Sequence, residues 1–356
     1  MSFLEDIGIA RPIIQAPMAG ISTPELAAAV SNAGGLGSIG IGATHAIGAK
    51  AMIEEVRVRT DRPFNVNVFV HAAPSTDTTR ERRWLQALAP EFDAFDATPP
   101  AALETIYQSF ADDDEMFELL MALRPPVISF HFGLPPQDKI EALKAAGCKL
   151  LSTATNLDEA VAAEQAGVDA VVAQGYEAGG HRGVFDPKVP DQKLGIFALV
   201  QLLVAKCALP VVAAGGIMDG RGIASVMALG AEAAQLGTAF VGCPESKADI
   251  AYREALKGAG AYQTIMTTAI SGRPARCLSN RFTAWAAEAD RLAPPDYPRA
   301  YDAGKALHAA AKSQGEFGFG AQWAGQGAPL MRELSAADLV EALMLELKEA
   351  RSPFPG

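Results

Sequence analysis

One short stretch of the sequence combines a titratable side chain with several glycines. Val168 to Ala173 is an apolar run that predicts a buried parallel strand, and a glycine-rich loop after it leads to His181. Glycine lets backbone N–H groups approach a ligand closely because no Cβ is in the way, and histidine exchanges protons near neutral pH. The pattern is typical of enzymes whose sites lie at the carboxyl ends of parallel strands. Taken alone, the stretch is also compatible with a surface turn that carries an incidental histidine.

Two further strand ends carry glycines that suit a phosphate group. Gly215-Gly216 and Gly237-Thr238 follow the seventh and eighth predicted strands, where the loops of a barrel usually hold phosphate. Free backbone N–H groups and the Thr238 hydroxyl are suitable donors to its oxygens. Tight turns are the simpler explanation of these glycines, but their occurrence on adjacent strands favours phosphate.

The remaining strand ends indicate a flat aromatic cofactor. Pro17, Met18 and Ala19 end the first strand with residues against which a planar ring can lie, while Asn67 and Gln174 offer amide groups to polar ring atoms. The absence of a lysine at a predicted strand end disfavours pyridoxal phosphate, and no carboxylate cluster marks a metal site. FMN is the cofactor that remains, and no metal is predicted.

Two groups of side chains are candidates for holding a substrate. His131 follows the fourth predicted strand, although a polar core position explains it equally well. Tyr297, Tyr301 and Lys305 have the i, i+4, i+8 spacing of one helix face, with Pro298 in the first turn. Two phenols and an ammonium on one face can hold a small anion, and a solvated face is the alternative.

Eight apolar runs alternate with alanine-rich helical segments, which predicts an α/β fold, a (β/α)8 TIM barrel with an added helical cap. An open doubly wound sheet would need G-x-G-x-x-G after its first strand, and that strand ends instead in Pro17-Met18-Ala19-Gly20. We expect residues 1–242 and 323–356 to form the barrel, with a helical insertion at about 72–126. Residues 243–322 are expected to form a helical substrate-binding subdomain over the barrel mouth.

The bulk composition limits the classes of function. The chain has 356 residues, 49% of them hydrophobic, with a formal net charge of −11, which argues against nucleic-acid binding by a basic surface. Four scattered cysteines predict free thiols in a reducing compartment. The chain begins without the pattern of a signal peptide and contains no long apolar run. We therefore expect a cytoplasmic enzyme without membrane association, and the sequence leaves the oligomeric state open, with a homodimer as one option.

Several motifs together resemble the nitronate monooxygenase family, formerly called 2-nitropropane dioxygenases, and specifically its class I. The resemblance runs from Pro12 to Glu349. Its motifs are Gln15-Ala16-Pro17-Met18-Ala19-Gly20, Ser129-Phe130-His131-Phe132-Gly133-Leu134-Pro135, Gln174-Gly175-Tyr176-Glu177-Ala178-Gly179-Gly180-His181, Ala213-Ala214-Gly215-Gly216-Ile217, Gln235-Leu236-Gly237-Thr238 and Trp323-Ala324-Gly325-Gln326-Gly327.

The resemblance implies an FMN-dependent barrel that converts alkyl nitronates and O2 to carbonyl compounds and nitrite, with propionate 3-nitronate as the expected substrate. His181 matches the catalytic histidine of the family. The matching pocket residues are His131, Tyr107, Tyr252, Tyr297, Tyr301 and Lys305. The residues expected at the cofactor are Pro17, Met18, Ala19, Asn67, Gln174, Gly179, Gly180, Gly215, Gly216, Gln235, Leu236, Gly237 and Thr238.

Two alternatives stay open at this point. One is an FMN-dependent NAD(P)H:quinone reductase or enoyl-acyl-carrier-protein reductase of the same superfamily. The other is a barrel of a different class, either a non-catalytic phosphate- or nucleotide-binding protein or a metal-independent isomerase.

Overall fold

A computed structural model describes residues 2–288 and 292–351 of the chain. Its strands are β1 (Ile13–Gln15), β2 (Gly37–Gly40), β3 (Phe64–Phe69), β4 (Val127–His131), β5 (Lys149–Ala154), β6 (Ala170–Gln174), β7 (Gly180–His181), β8 (Val211–Ala214), β9 (Ala233–Leu236), β10 (Thr264–Thr267) and β11 (Ala275–Leu278).

Eight of these strands form one parallel sheet in the order β1-β9-β8-β6-β5-β4-β3-β2. A parallel bridge between Ile14 and Leu36 connects its two edges and closes it into a barrel. The barrel strands are buried along almost their whole length, as expected when helices cover a parallel sheet on its outside. The predicted (β/α)8 TIM barrel is confirmed.

The helices fill the connections between the strands. They are α1 (Phe3–Asp6), α2 (Pro24–Asn32), α3 (Ala46–Arg59), α4 (Thr78–Asp93), α5 (Asp114–Leu123), α6 (Gln137–Ala145), α7 (Leu157–Ala166), α8 (Ile196–Lys206), α9 (Gly220–Ala228), α10 (Thr238–Val241), α11 (Ile250–Lys257), α12 (Arg281–Glu288), α13 (Arg299–Ser313) and α14 (Ala336–Arg351). Short 3-10 turns lie at Ala259–Tyr262 and Ala328–Leu330.

Local sequence chemistry explains the ends of several helices. The Thr23 hydroxyl accepts from the Leu26 N–H and caps α2, whose first residue is Pro24. Asp219 caps α9 in the same way through the Gly222 N–H. These caps fix where two of the loops at the barrel mouth end and their helices begin.

A second hydrophobic core lies outside the barrel. It joins Trp84 and Phe92 of α4 to Phe282 of α12 and Leu307 of α13, together with Phe319. The long connection between β3 and β4 therefore packs against the segment that follows β9. The two belong to one layer of structure although about 190 residues separate them in the chain.

Two details differ from the sequence-based expectations. Residues 243–322 are not helical throughout, because β10 and β11 form an antiparallel sheet with β7 in which Ala275 pairs with His181. Tyr297 lies before α13 rather than on it, since the helix begins at Arg299 and Pro298 is its N-cap. Only Tyr301 and Lys305 share the predicted helix face.

The division of the chain into a barrel and a cap at residues 243 and 322 stays a prediction. Residues 1 and 352–356 of the predicted barrel ranges lie outside the described residues. Among residues 2–288 and 292–351, no helix has the combined length and apolar character that crossing a bilayer requires.

Candidate active site

A cavity of about 920 Å³ opens at the carboxyl ends of the barrel strands. Its size lies within the range of roughly 300 to 1,000 Å³ that is typical of small-molecule sites. Every residue that the sequence assigned to the catalytic, substrate or cofactor groups lines this cavity. The fold therefore brings the candidate residues together, while the role of each one stays a prediction.

His181 lies between the barrel and the cap. Its backbone belongs to β7, which pairs with β11 of the cap. Its ring is surrounded by aromatic side chains, with ring centroids 5.5 Å from Phe132, 5.4 Å from Tyr297 and 5.0 Å from Trp323. Nε2 lies 2.9 Å from the Ser271 hydroxyl oxygen. The imidazole is therefore held in one orientation by both its ring faces and its Nε2 atom.

Burial is the main reason why His181 stays neutral. Burial and, to a smaller extent, the neighbouring His131, Arg273 and His71 together lower the pKa of the imidazole to about 3. A neutral imidazole keeps one ring nitrogen with a lone pair, which is the form that can accept a proton.

Two side chains fix the backbone beneath this ring. The His181 carbonyl oxygen lies 3.1 Å from His131 Nε2 and also accepts a hydrogen bond of 3.1 Å from the Gln174 amide. Gln174 completes the arrangement by accepting from the Gly183 N–H at 2.8 Å. These contacts hold the loop after β6 rigidly to the ends of β4 and β6.

His131 uses both ring nitrogens within the protein. Nε2 points at the carbonyl of His181 and Nδ1 lies 3.0 Å from the Thr153 hydroxyl. Because a carbonyl can only accept, Nε2 carries the proton and Nδ1 accepts from Thr153. Burial lowers the pKa of His131 to about 4. These contacts match the polar core position that the sequence left open, and a direct role in holding substrate stays a prediction.

An aromatic and cationic wall faces His181 from the cap. Lys305 Nζ donates a 2.6 Å hydrogen bond to the Tyr107 hydroxyl and lies 5.1 Å and 5.6 Å from the ring centroids of Tyr107 and Tyr301. Burial raises the pKa of both phenols to about 12, so both remain protonated at neutral pH. The wall thus combines one ammonium with neutral hydroxyl donors, which suits an anion.

Tyr297 and Tyr252 differ in what their hydroxyls contact. The Tyr297 hydroxyl is buried and has no hydrogen-bond partner among the described residues. The Tyr252 hydroxyl donates to the Trp323 carbonyl. Burial raises the pKa of Tyr297 well above its usual value, so its hydroxyl is available as a donor.

The opposite side of the cavity contains the glycine-bearing strand ends. Gly216 has a φ of +70°, which strongly favours glycine. A Cβ built on Gly237 would lie 3.4 Å or more from its protein neighbours, so the missing side chain leaves space rather than relieving a clash. Thr238 begins α10, and its hydroxyl oxygen accepts from the Gly325 N–H at 3.0 Å, which leaves its own proton free to donate. This cradle fits the phosphate of a mononucleotide.

Two residues of the site carried no functional signal in the sequence. Ser271 and Arg273 lie in the connection from β10 to β11, and only the tertiary fold brings them to His181. Arg273 is 3% exposed, stands 4.2 Å above the Phe132 ring centroid and has no carboxylate within ion-pair distance among the described residues. Burial lowers its pKa to about 10, so it stays charged at neutral pH. It makes the region behind the histidines electropositive.

Comparison with known proteins assigns the chain to a family. The family model for nitronate monooxygenase matches residues 1–346. A nitronate monooxygenase from Paraburkholderia phytofirmans is 59% identical over 97% of this chain and 94% of its own length. The chain belongs to the nitronate monooxygenase family. Nitronate monooxygenases are oxidoreductases, and flavin dependence is a feature of this family.

Solved structures agree with this assignment. Nitroalkane oxidase from Streptomyces ansochromogenes is similar with a TM-score of 0.89 and 41% identity, covering 99% of both chains. The enoyl reductase domain of MlnA from Bacillus amyloliquefaciens has a TM-score of 0.64 at 14% identity over 98% of this chain and 97% of its own. That second likeness shows a common fold and gives no support to the reductase alternative.

Proposed function

We propose that this nitronate monooxygenase family member oxidises alkyl nitronates with O2, breaking the C–N bond to give a carbonyl compound and nitrite. The observation that carries the proposal is the arrangement of the cavity. The neutral imidazole of His181 and the aromatic and cationic wall lie on one side of the cavity. The glycine cradle at Gly237, which has the size of a phosphate group, lies on the opposite side. Family membership makes nitronates the substrate class.

The cofactor that fits this cavity best is FMN. The open space at Gly237 and the free donors of Thr238 suit a terminal phosphate, and Met18 lies beside that space. Asn67 uses its amide nitrogen to hold Ser129 at the ends of β3 and β4, while its Oδ1 accepts no hydrogen bond from the described residues and suits a ring N–H. Bound FMN would accept the electrons that the nitronate loses.

The positive charges of Lys305 and Arg273 favour a dianionic substrate such as propionate 3-nitronate. Lys305 is exposed to the cavity and can pair with the carboxylate, with Tyr107 fixing its ammonium. The buried charge of Arg273 favours negative charge beside His181.

His181 acts on neutral nitroalkanes. A nitronate has already lost its α-proton and needs no base, whereas a nitroalkane must first lose that proton to a nitrogen lone pair. We expect His181→Asn to lower nitroalkane turnover by about 100-fold or more while nitronate turnover is largely kept. Equal losses on both substrates would contradict a role as base.

The decisive test begins with an absorbance spectrum of the purified protein and mass analysis of the released flavin, followed by nitrite assays with propionate 3-nitronate in air. FMN and nitrite release support the proposal. An anaerobic mixture with NADH is the matched control: rapid bleaching of the flavin, with no nitrite formed in air, would favour a reductase instead.

A further inference from the structure

Ser271 is a fully buried residue whose hydroxyl contacts the candidate base. It has no exposed surface, and its Oγ lies 2.9 Å from His181 Nε2. The following residue, Gly272, has a φ of +87°, and a Cβ there would overlap the carbonyl oxygen of Pro295. The turn that carries Ser271 therefore packs tightly against the segment before Tyr297 and has little freedom to move.

The hydrogen bonds around this hydroxyl define its direction. Ser271 Oγ lies 3.1 Å from the Arg273 carbonyl oxygen, which accepts from no other described residue. The Arg273 N–H lies 3.4 Å from the same Oγ on the donor side. If the Ser271 proton pointed at His181 instead, the buried Arg273 carbonyl would lose its donor, which native structures avoid. The proton therefore belongs to the Arg273 carbonyl, and Oγ presents a lone pair to His181.

A lone pair at Ser271 Oγ selects one tautomer of His181. The ring must carry its proton on Nε2 in order to donate to Oγ, which leaves the lone pair on Nδ1. Nδ1 has no hydrogen-bond partner among the described residues. It nevertheless keeps some accessible surface, and the ring to which it belongs lines the cavity. The atom left free is thus the one able to reach a ligand.

We infer that Ser271 is a positioning residue that locks His181 in the Nε2–H tautomer and so makes Nδ1 the proton acceptor for nitroalkanes. This inference rests on the proposed role of His181 as base. In the other tautomer Nδ1 carries a hydrogen and cannot take the α-proton. Nitronate oxidation needs no such acceptor, so Ser271 matters for one substrate class and not for the other.

The tautomer can be read directly from ¹⁵N-histidine NMR spectra of the flavin-bound enzyme. We expect the His181 signals, assigned by their loss in His181→Asn, to show a protonated Nε2 and a bare Nδ1. Ser271→Ala should give a mixture or the opposite tautomer, and Ser271→Thr, which keeps the hydroxyl, should restore the first pattern. Ser246→Ala is the matched control, since that buried serine donates to the Val241 carbonyl and does not line the cavity.

Kinetics supply the second readout. Ser271→Ala should lower kcat/KM for a neutral nitroalkane by about tenfold or more and leave nitronate turnover within about twofold. A bare Nε2 in the wild-type spectrum overturns the inference, and so does an unchanged tautomer in Ser271→Ala. The wild-type spectrum decides the first point even if the variant does not fold.

These results separate the inference from the proposed function. If wild-type enzyme releases no nitrite from either substrate, the proposed function fails while the spectrum still reports the tautomer. If nitrite forms but His181→Asn keeps full nitroalkane turnover, the base role fails and the catalytic half of this inference fails with it.

Discussion

At the residue scale, His181 owes its properties to its neighbours rather than to its position in a motif. His131 and Gln174 bind its carbonyl oxygen, Ser271 contacts its ring nitrogen, and Phe132 and Trp323 enclose the ring. None of these contacts supplies a negative charge that would favour the imidazolium. These contacts therefore favour the neutral imidazole, which is the form that can accept a proton.

The low pKa of His181 predicts an unusual pH profile. The base is active when unprotonated, so a pKa near 3 keeps it competent far below the value of about 6.5 at which an ordinary histidine becomes protonated. We expect kcat/KM for a freshly dissolved neutral nitroalkane to lose no activity through His181 between about pH 8 and pH 5. A fall with an apparent pKa near 6.5, absent from nitronate turnover, would contradict this expectation. Initial-rate nitrite assays across that range provide the measurement.

Lys305 offers a test of substrate charge. Lys305→Gln removes the ammonium that lies beside Tyr107, so KM for propionate 3-nitronate should rise by about tenfold, which corresponds to about 1.4 kcal/mol. KM for ethyl nitronate, which has no carboxylate, should change by less than about threefold, because that substrate forms no ion pair with the ammonium. Equal effects on the two substrates would assign Lys305 to the nitro group or to the structure of the wall.

At the element scale, the site depends on a strand that belongs to the cap. β7 pairs with β11, which in turn pairs with β10, so this small antiparallel sheet fixes the loop that follows β6. The barrel strands deliver Asn67, His131 and Gln174 from their carboxyl ends. The barrel therefore supplies the side of the cavity that we propose for the cofactor, and the cap supplies the side that we propose for the substrate.

The loop after β9 gives a prediction about cofactor binding. Gly237→Val adds a Cβ that would lie 3.4 Å from Ala16 Cβ, an ordinary contact distance, and two methyl groups that would fill the cradle. We expect the flavin dissociation constant to rise by about tenfold or more, with little change in the unfolding temperature of the flavin-free protein.

Gly147→Ala is the control for this substitution. Gly147 has a φ of +92° and no neighbour within 4 Å of an added Cβ, and it does not line the cavity. That variant should lose some stability through backbone strain but bind flavin normally. Retention of full flavin affinity by Gly237→Val would exclude the cradle as the phosphate site.

At the scale of the whole molecule, the barrel core and the cap core meet around a group of buried polar residues. Arg273 is buried and His131 and His181 are half-buried, and all three contact Phe132 of one of the apolar clusters. Burying these groups costs free energy unless they are neutral or hydrogen-bonded. Hydrogen bonds to these groups and the neutral state of both histidines reduce this cost.

This arrangement predicts that acid destabilises the fold. The pKa of His131 is about 4 in the folded chain and about 6.5 when unfolded, so the unfolded state binds more protons between those values and stability falls as pH decreases from about 6.5. This difference in the pKa of His131 contributes about 2 kcal/mol to the change in unfolding free energy between pH 7.5 and pH 5. Urea denaturation of His131→Gln should show a correspondingly smaller loss.

His45→Gln removes an exposed histidine and serves as the reference for that measurement. It should retain the pH dependence of the wild type. An identical pH dependence in His131→Gln would mean that His131 is charged in the folded protein, contrary to its contacts with Thr153 and the His181 carbonyl.

The sequence by itself determined the barrel and the strand ends that line its mouth. Alternation of apolar runs with capped helices fixes the order of the elements, and parallel strands necessarily gather their carboxyl ends on one side. For that reason Asn67, Gln174, Gly216 and Gly237 could be placed together from local patterns alone. Their positions follow from the strands that precede them.

Only the tertiary structure decided how the cap completes the site. Ser271 and Arg273 lie in a segment without a recognisable pattern, and their contact with His181 spans about 90 residues of sequence. Helical spacing placed Tyr297 on α13, whereas the structure starts that helix at Arg299. Long-range contacts such as the β7–β11 pairing depend on how two separate cores pack together, and local periodicity carries no information about that packing.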